Sequence, residues 1–160
     1  VYAQCEDDFT RVETNYINAM GRMAEVKGVS HVYHDLRMKL FIDEDIVKEE
    51  FENSPKWLQE LMIAWADGIN FYLYSNPNVK PLLITKFEPW MALTFSEGSI
   101  GGDIETIALN PLRSFYEKGE PSAIALEERD FEIEPKGSNG FAIAPQLTKN
   151  GNALLLINPH

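Results

Sequence analysis

The stretch Gly137-Ser138-Asn139-Gly140-Phe141-Ala142-Ile143-Ala144-Pro145, with Asn150-Gly151 behind it and then Ala153-Leu154-Leu155-Leu156-Ile157-Asn158-Pro159-His160, decides how this chain is read. Residues 140–144 predict one strand. Asn150-Gly151 is a strong short hairpin signal, because both residues tolerate positive φ in a type I′ turn. Residues 153–157 form an unbroken apolar run, as expected of a strand buried on both faces. A single hairpin is not stable in water. An apolar hairpin after a helical body therefore reads as part of a larger sheet that these residues do not supply.

The body upstream carries helical periodicity. Phe9, Val12, Tyr16, Ile17, Met20, Met23 and Ala24 recur at three- and four-residue steps and predict one amphipathic helix over 5–27, with Gly28 as its stop. Ser30 is a candidate cap for a helix over 32–41. Ile42-Asp43-Glu44-Asp45 interrupts it before a further helical piece over 44–52. Ser54-Pro55 reads as a cap with proline at the first helical position, opening a helix to Tyr74 that Asn76-Pro77 ends. Pro89-Trp90 starts a short helix to Phe95. Helix returns over 103–118, with a restart at Asn110-Pro111. Residues 119–137 are charged, contain Pro121 and Pro135, and read as an exposed connector with one short helix in 122–129. The resulting division is 1–118 helical, 119–137 connector and 138–160 hairpin, an α+β class.

Composition narrows the function. The 160 residues carry a formal net charge of −11, and 44% are hydrophobic. That apolar content supports a core. The acidic balance argues against nucleic acid and anionic membrane surfaces as partners. No apolar run reaches the roughly 18 residues of a membrane span. Cys5 stands alone, so no internal disulfide is possible; beside Glu6, Asp7 and Asp8 it reads as a structural thiol. The chain opens at Val1 inside a patterned segment, which reads as a trimmed start, so the lack of a visible signal peptide carries no information.

Taken on its own, Gly137-Ser138-Asn139-Gly140 is an ordinary turn. A serine hydroxyl is a weak nucleophile that needs a base beside it. The chain has no Gly-x-Ser-x-Gly elbow, and His31 and His34 sit on a polar helix, where a structural or surface role is expected.

The flanks point further. Gly-Ser-Asn at a strand start, Asn-Gly twelve residues on and Leu-Leu-Ile-Asn-Pro-His together resemble the processing junction of the penicillin acylase family (penicillin amidases and acyl-homoserine lactone acylases), within the N-terminal-nucleophile hydrolases. Tyr2-Ala3-Gln4-x-Glu6-Asp7-Asp8-Phe9, Gly21-Arg22-Met23-Ala24-Glu25, Ala64-Trp65-Ala66-Asp67-Gly68-Ile69-Asn70 and Glu88-Pro89-Trp90 are similar to that family's motifs in the same order. The resemblance implies a helical α-chain portion plus the first β-hairpin of an αββα sandwich. It implies self-cleavage between Gly137 and Ser138, which frees Ser138 as catalytic nucleophile. Its own α-amine would act as base, with a reference pKa of about 7.7–8.0. Glycine at 137 leaves the attacked carbonyl uncrowded.

The same resemblance implies that His160 orients the serine, where the plain alternative is a polar strand end. It leaves Asn139 as either a hydrogen-bonding partner of the nucleophile or a turn residue. Met91 and Phe95 fall near the family's acyl pocket, against a core-packing alternative. Asp103, with Glu105 second, would give one carboxylate to a structural calcium, although a helix start favours carboxylates anyway. No cofactor is implied for catalysis. The oxyanion-hole donors are expected beyond residue 160, so this piece is expected to be inactive alone. The implied partners are a small N-acyl amide substrate and the remainder of the catalytic β-chain, in a periplasmic or extracellular setting. The competing reading is a non-catalytic helical interaction module with Ser138 as a turn residue.

Overall fold

The computed structural model describes residues 1–95, 104, 107–118 and 139–158. The chain divides into two compact units, Val1–Leu126 and Glu127–His160. The first unit is helical: α1 (Tyr2–Ala19), α2 (Met23–Lys27), α3 (Val32–Lys39), α4 (Glu44–Asn53), α5 (Lys56–Ser75) and α6 (Leu109–Lys118), with 3-10 turns at Val29–His31 and Pro89–Thr94. The second contains an antiparallel pair, β1 (Asn139–Ile143) and β2 (Leu154–Asn158), joined through a 3-10 turn at Pro145–Leu147. The fold class is α+β. Among the described residues no helix is long and apolar enough to cross a membrane.

The expected single helix over 5–27 is broken twice. Asp8 leaves the helical region, and its carboxylate accepts from the Arg11 amide at 2.9 Å, capping the second segment of α1 from within. The chain then turns at Gly21, whose φ is +62°. A side chain at Gly21 would place its Cβ 2.8 Å from the Asp35 carbonyl oxygen on α3. Only glycine satisfies both the left-handed backbone and that close approach. The helix expected over 32–41, α3, ends at Lys39 and leaves Leu40 and Phe41 exposed. Ser30 does not cap it; its hydroxyl meets the His31 ring at 3.1 Å, within a 3-10 turn. Asp43 caps α4 through the amides of Asp45 and Ile46. Pro55 occupies the cap position of α5, one residue earlier than expected, while the Ser54 hydroxyl donates back to the Glu50 carbonyl. The Pro89 piece is a 3-10 turn that ends at Thr94. Pro111 falls in the first turn of α6, where its missing N–H breaks no helical bond. The connector 119–137 and its short helix lie outside the described residues.

The core of the first unit packs α1 against α5 and closes over them with the segment before Pro89. Cys5, Ile17, Ile69 and Phe87 are wholly or almost wholly buried. The Phe87 ring stands edge-on to Phe9 and to Tyr16, with centroids at 6.2 and 5.1 Å. Edge-to-face pairs of this kind add to the burial of the rings themselves.

One polar side chain sits on this apolar face. Glu13 is completely buried. Its carboxyl accepts from three successive amides, Leu82, Leu83 and Ile84, each at 2.8 Å. Those amides belong to an irregular segment with no helix or strand to satisfy them. An orphaned buried donor costs about 1–3 kcal/mol, so Glu13→Ala should lose about 3 kcal/mol or more. Glu13→Gln keeps one oxygen acceptor and should lose less. Urea unfolding midpoints measure both; an alanine variant as stable as the parent would refute the role.

Candidate active site

The hairpin is the element that carries the candidate chemistry. Its register pairs Asn139 with Asn158, Gly140 with Ile157, Phe141 with Leu156, Ala142 with Leu155 and Ile143 with Leu154. The connection is therefore ten residues long, from Ala144 to Ala153, rather than the two-residue type I′ turn expected at Asn150-Gly151. Pro145 diverts the chain into a 3-10 turn, and the Gly151 amide closes a separate turn onto the Thr148 carbonyl at 3.3 Å. The Thr148 hydroxyl lies 3.0 Å from the Pro145 carbonyl and 2.8 Å from that of Asn152, shared between the two. Gly151 supplies the single left-handed residue of this loop's glycines, at φ +66°. The strands start and stop one residue from where the pattern put them. Leu154, Leu155, Leu156 and Ile157 are each more than half exposed, so neither face of β2 is covered as the apolar run suggested.

Asn139 is the first paired residue of β1, and Asn158 is its partner at the end of β2. Ser138 is bonded directly to Asn139, and His160 follows Asn158 by two residues. Both candidates are therefore near one end of the hairpin in sequence. Gly137, Ser138, His160, Asp103 and Glu105 themselves lie outside the described residues.

The two candidate pocket residues part company. Met91 is buried in the core, and its Sδ accepts from the Glu88 amide at 3.4 Å. Phe95 is half exposed and stands edge-on to Tyr16, with centroids at 4.9 Å. It lines an open groove of about 500 Å³ together with Tyr16, Trp65, Val12, Ala92 and Arg11. The Trp65 indole donates to the Tyr16 phenol oxygen at 2.9 Å. Burial pushes the Tyr16 phenol up, against that hydrogen bond, which favours the ionised form. Tyr16 therefore stays a neutral phenol at ordinary pH.

Three polar residues that organise this region escaped the sequence reading. Glu13 is described above; its signal was an acid four residues from both Phe9 and Ile17, on the apolar face. Asn70 had been noted only as part of a motif. Its carboxamide accepts from the Phe87 amide and donates to the Phe87 carbonyl, both at 2.8 Å. Asp35 accepts from the amides of Met23 and Ala24, at 2.9 and 2.6 Å, and so caps α2 from a different helix. No local pattern announces that contact. His34 lies 3.3 Å from Asp35 and takes a structural place beside it. Arg22 grips Glu25 with two bonds of 2.6 and 2.7 Å, holding the Glu25 carboxyl below its ordinary range. Among the described residues no three His, Cys, Asp or Glu side chains converge as a metal site.

Two of the motifs that prompted the family resemblance have structural roles within the helical unit. Gly21-Arg22 forms the α1–α2 corner, and Asn70 ties α5 to the residue before Glu88-Pro89-Trp90. The penicillin amidase family model matches residues 1–160, and the chain belongs to that family. It is also similar to the acyl-homoserine lactone acylase PvdQ of Pseudomonas putida, at 27% identity over 163 aligned residues, which cover 92% of this chain and 21% of that protein. The chain spans about a fifth of that relative's length. No solved structure matches it significantly.

Cys5 is the one thiol of the sequence. It is completely buried, and burial pushes its thiol up. Less thiolate and no access both slow its chemistry. Folded protein should react with a thiol-exchange reagent slower by about a hundredfold or more than unfolded protein. Rapid labelling without denaturant would contradict the buried placement.

Proposed function

We propose that this chain is the α-chain and the first hairpin of the catalytic chain of an N-acyl amide hydrolase, held as one polypeptide before processing. The observation that carries the reading is the hairpin register. It pairs Asn139 with Asn158 at one end of a two-stranded ladder, and Ser138 precedes Asn139 by one residue while His160 follows Asn158 by two. Family membership over the full chain supports it.

The chemistry runs in two stages. In the precursor the Ser138 hydroxyl attacks the Gly137 carbonyl, and the amide becomes an ester. Water opens the ester, leaving a carboxylate on Gly137 and a free amine on Ser138. That amine, acting directly or through water, then takes the hydroxyl proton as Oγ attacks the substrate's amide carbonyl. The proton passes to the leaving amine, an acyl-serine forms, and water releases the carboxylic acid. His160 orients the serine amine or hydroxyl, and Asn139 holds the nucleophile's surroundings. Phe95 faces the acyl chain, with Met91 behind it. Asp103, with Glu105 second, would contribute to a structural calcium site whose other oxygens lie elsewhere.

The name of the similar Pseudomonas protein favours acyl-homoserine lactones as substrates, with penicillins and acylated peptides as the alternatives. The site of action would be periplasmic or extracellular. The oxyanion donors would come from chain beyond residue 160. Loss of one such donor costs about 10²–10³ in rate, so the piece described here should not turn over substrate alone.

Intact mass and N-terminal sequencing of the full-length parent test this. A new terminus at Ser138 is expected, absent in Ser138→Ala. Hydrolysis by the alanine variant should fall by about 10³ or more. An uncut parent, or an alanine variant that hydrolyses as well as the parent, would leave a helical interaction module instead.

A further inference from the structure

Asn70 places a polar side chain beside the core residues Ile69 and Tyr72 on α5. Its carboxamide occupies both backbone hydrogen-bonding groups of one residue, Phe87, at 2.8 Å each. The Phe87 ring is itself fixed, edge-on to Tyr16 at 5.1 Å. Tyr16 in turn stands edge-on to Phe95 at 4.9 Å. A second route joins the same two phenylalanines along the chain. Glu88 follows Phe87 and opens the 3-10 turn Pro89–Thr94, which delivers Phe95. That turn is stiffened from inside, because the fully buried Thr94 hydroxyl donates to the Met91 carbonyl at 2.8 Å. Any movement of Phe87 therefore reaches Phe95 both through the Tyr16 ring and through a rigid turn.

We infer that Asn70 is a positioning residue for the acyl pocket: by pinning Phe87 it sets where Phe95 stands in its groove, and so how long an acyl chain is accepted. The inference rests on the reading above, in which Phe95 faces the acyl group. Without the carboxamide, Phe87 keeps its ring contacts but loses both main-chain anchors. The turn is then free to shift, changing the depth of the groove by on the order of one methylene. A methylene gained or lost from an apolar pocket changes kcat/KM by about fourfold.

The test uses the processed full-length protein with N-butanoyl- and N-dodecanoyl-homoserine lactone. Asn70→Ala should change the long-to-short ratio of kcat/KM by about fourfold or more, mainly through KM for the long chain. Its kcat on the short lactone should stay within about twofold of the parent. Phe95→Ala should move the same ratio. Asp35→Asn, which weakens the cap on α2, should lower stability and leave the ratio alone. If Phe95→Ala moves the ratio and Asn70→Ala does not, the inference fails and the pocket reading stands. If Phe95→Ala leaves it unmoved, or neither lactone is hydrolysed, the pocket reading fails and takes the inference with it. Equal movement in Asp35→Asn also overturns the inference, because loosening alone would then suffice. Should Asn70→Ala not fold, Asn70→Asp keeps the acceptor for the Phe87 amide and loses the donor to its carbonyl, and it is judged by the same ratios.

Discussion

The Glu13 carboxyl organises the helical unit by joining two features that would each be costly alone. Glu13 lies four residues after Phe9 and four before Ile17, on the face of α1 that enters the core. A carboxyl taken from water into that setting needs several donors to be tolerated. Residues 82–84 supply them, because they run past the core with neither helix nor strand to satisfy their amides. The acceptor without donors and the donors without acceptors cancel. With Asn70 holding Phe87 from α5, the irregular segment is tied to both long helices. That is why a loop can place Ile84 and Phe87 in the core and lead into the Pro89–Thr94 turn in a fixed direction.

What could be read from the residues alone divides along the same physical line. Where burial follows a simple period, the pattern was enough: α5 was found to within a residue at each end, because Leu58, Ala66, Ile69 and Tyr72 recur at helical spacing behind a clear start. Where the determinant is a contact between distant residues, it was not. The break at Gly21 comes from the Asp35 carbonyl on α3, fourteen residues on, and the α2 cap comes from the Asp35 side chain. Glu13 reads as a solvent residue until the amides it meets are known. The hairpin shows a third case. Both strands were legible from their apolar runs, but the turn was not, because Pro145 and Thr148 hold a local arrangement that overrides the preference of Asn150-Gly151.

The candidate site was legible in a different way. Its residue types announce little: one serine after a glycine, and one histidine after a proline. They became informative through order, since Tyr2-Ala3-Gln4, Ala66-Asp67-Gly68-Ile69-Asn70 and Glu88-Pro89-Trp90 precede them in a fixed succession. The structure adds a reason for part of that succession. Asn70 clamps Phe87, the residue before Glu88-Pro89-Trp90, and Lys48 of α4 lies over the Trp90 ring at 5.0 Å. Phe95 and Met91, read together from the sequence, separate because Met91 lies inside the 3-10 turn while Phe95 follows its end with extended backbone. One faces the core and the other the groove.

The register also bears on why a nucleophile would be placed where Ser138 is. A residue that must become a chain terminus cannot sit inside a ladder, since cutting there would cost paired backbone groups on both sides of the cut. Asn139 begins the ladder, and all five register pairs lie from it onward, none before it. Cleavage before Ser138 therefore leaves every pair intact. The hairpin that positions the new terminus would be the same object before and after the cut. The amine released would appear beside a strand end already held opposite Asn158. On the proposed chemistry, a base that is covalently part of the nucleophile needs no further side chain to be brought into line, only a strand whose first residue does not move when the bond behind it breaks.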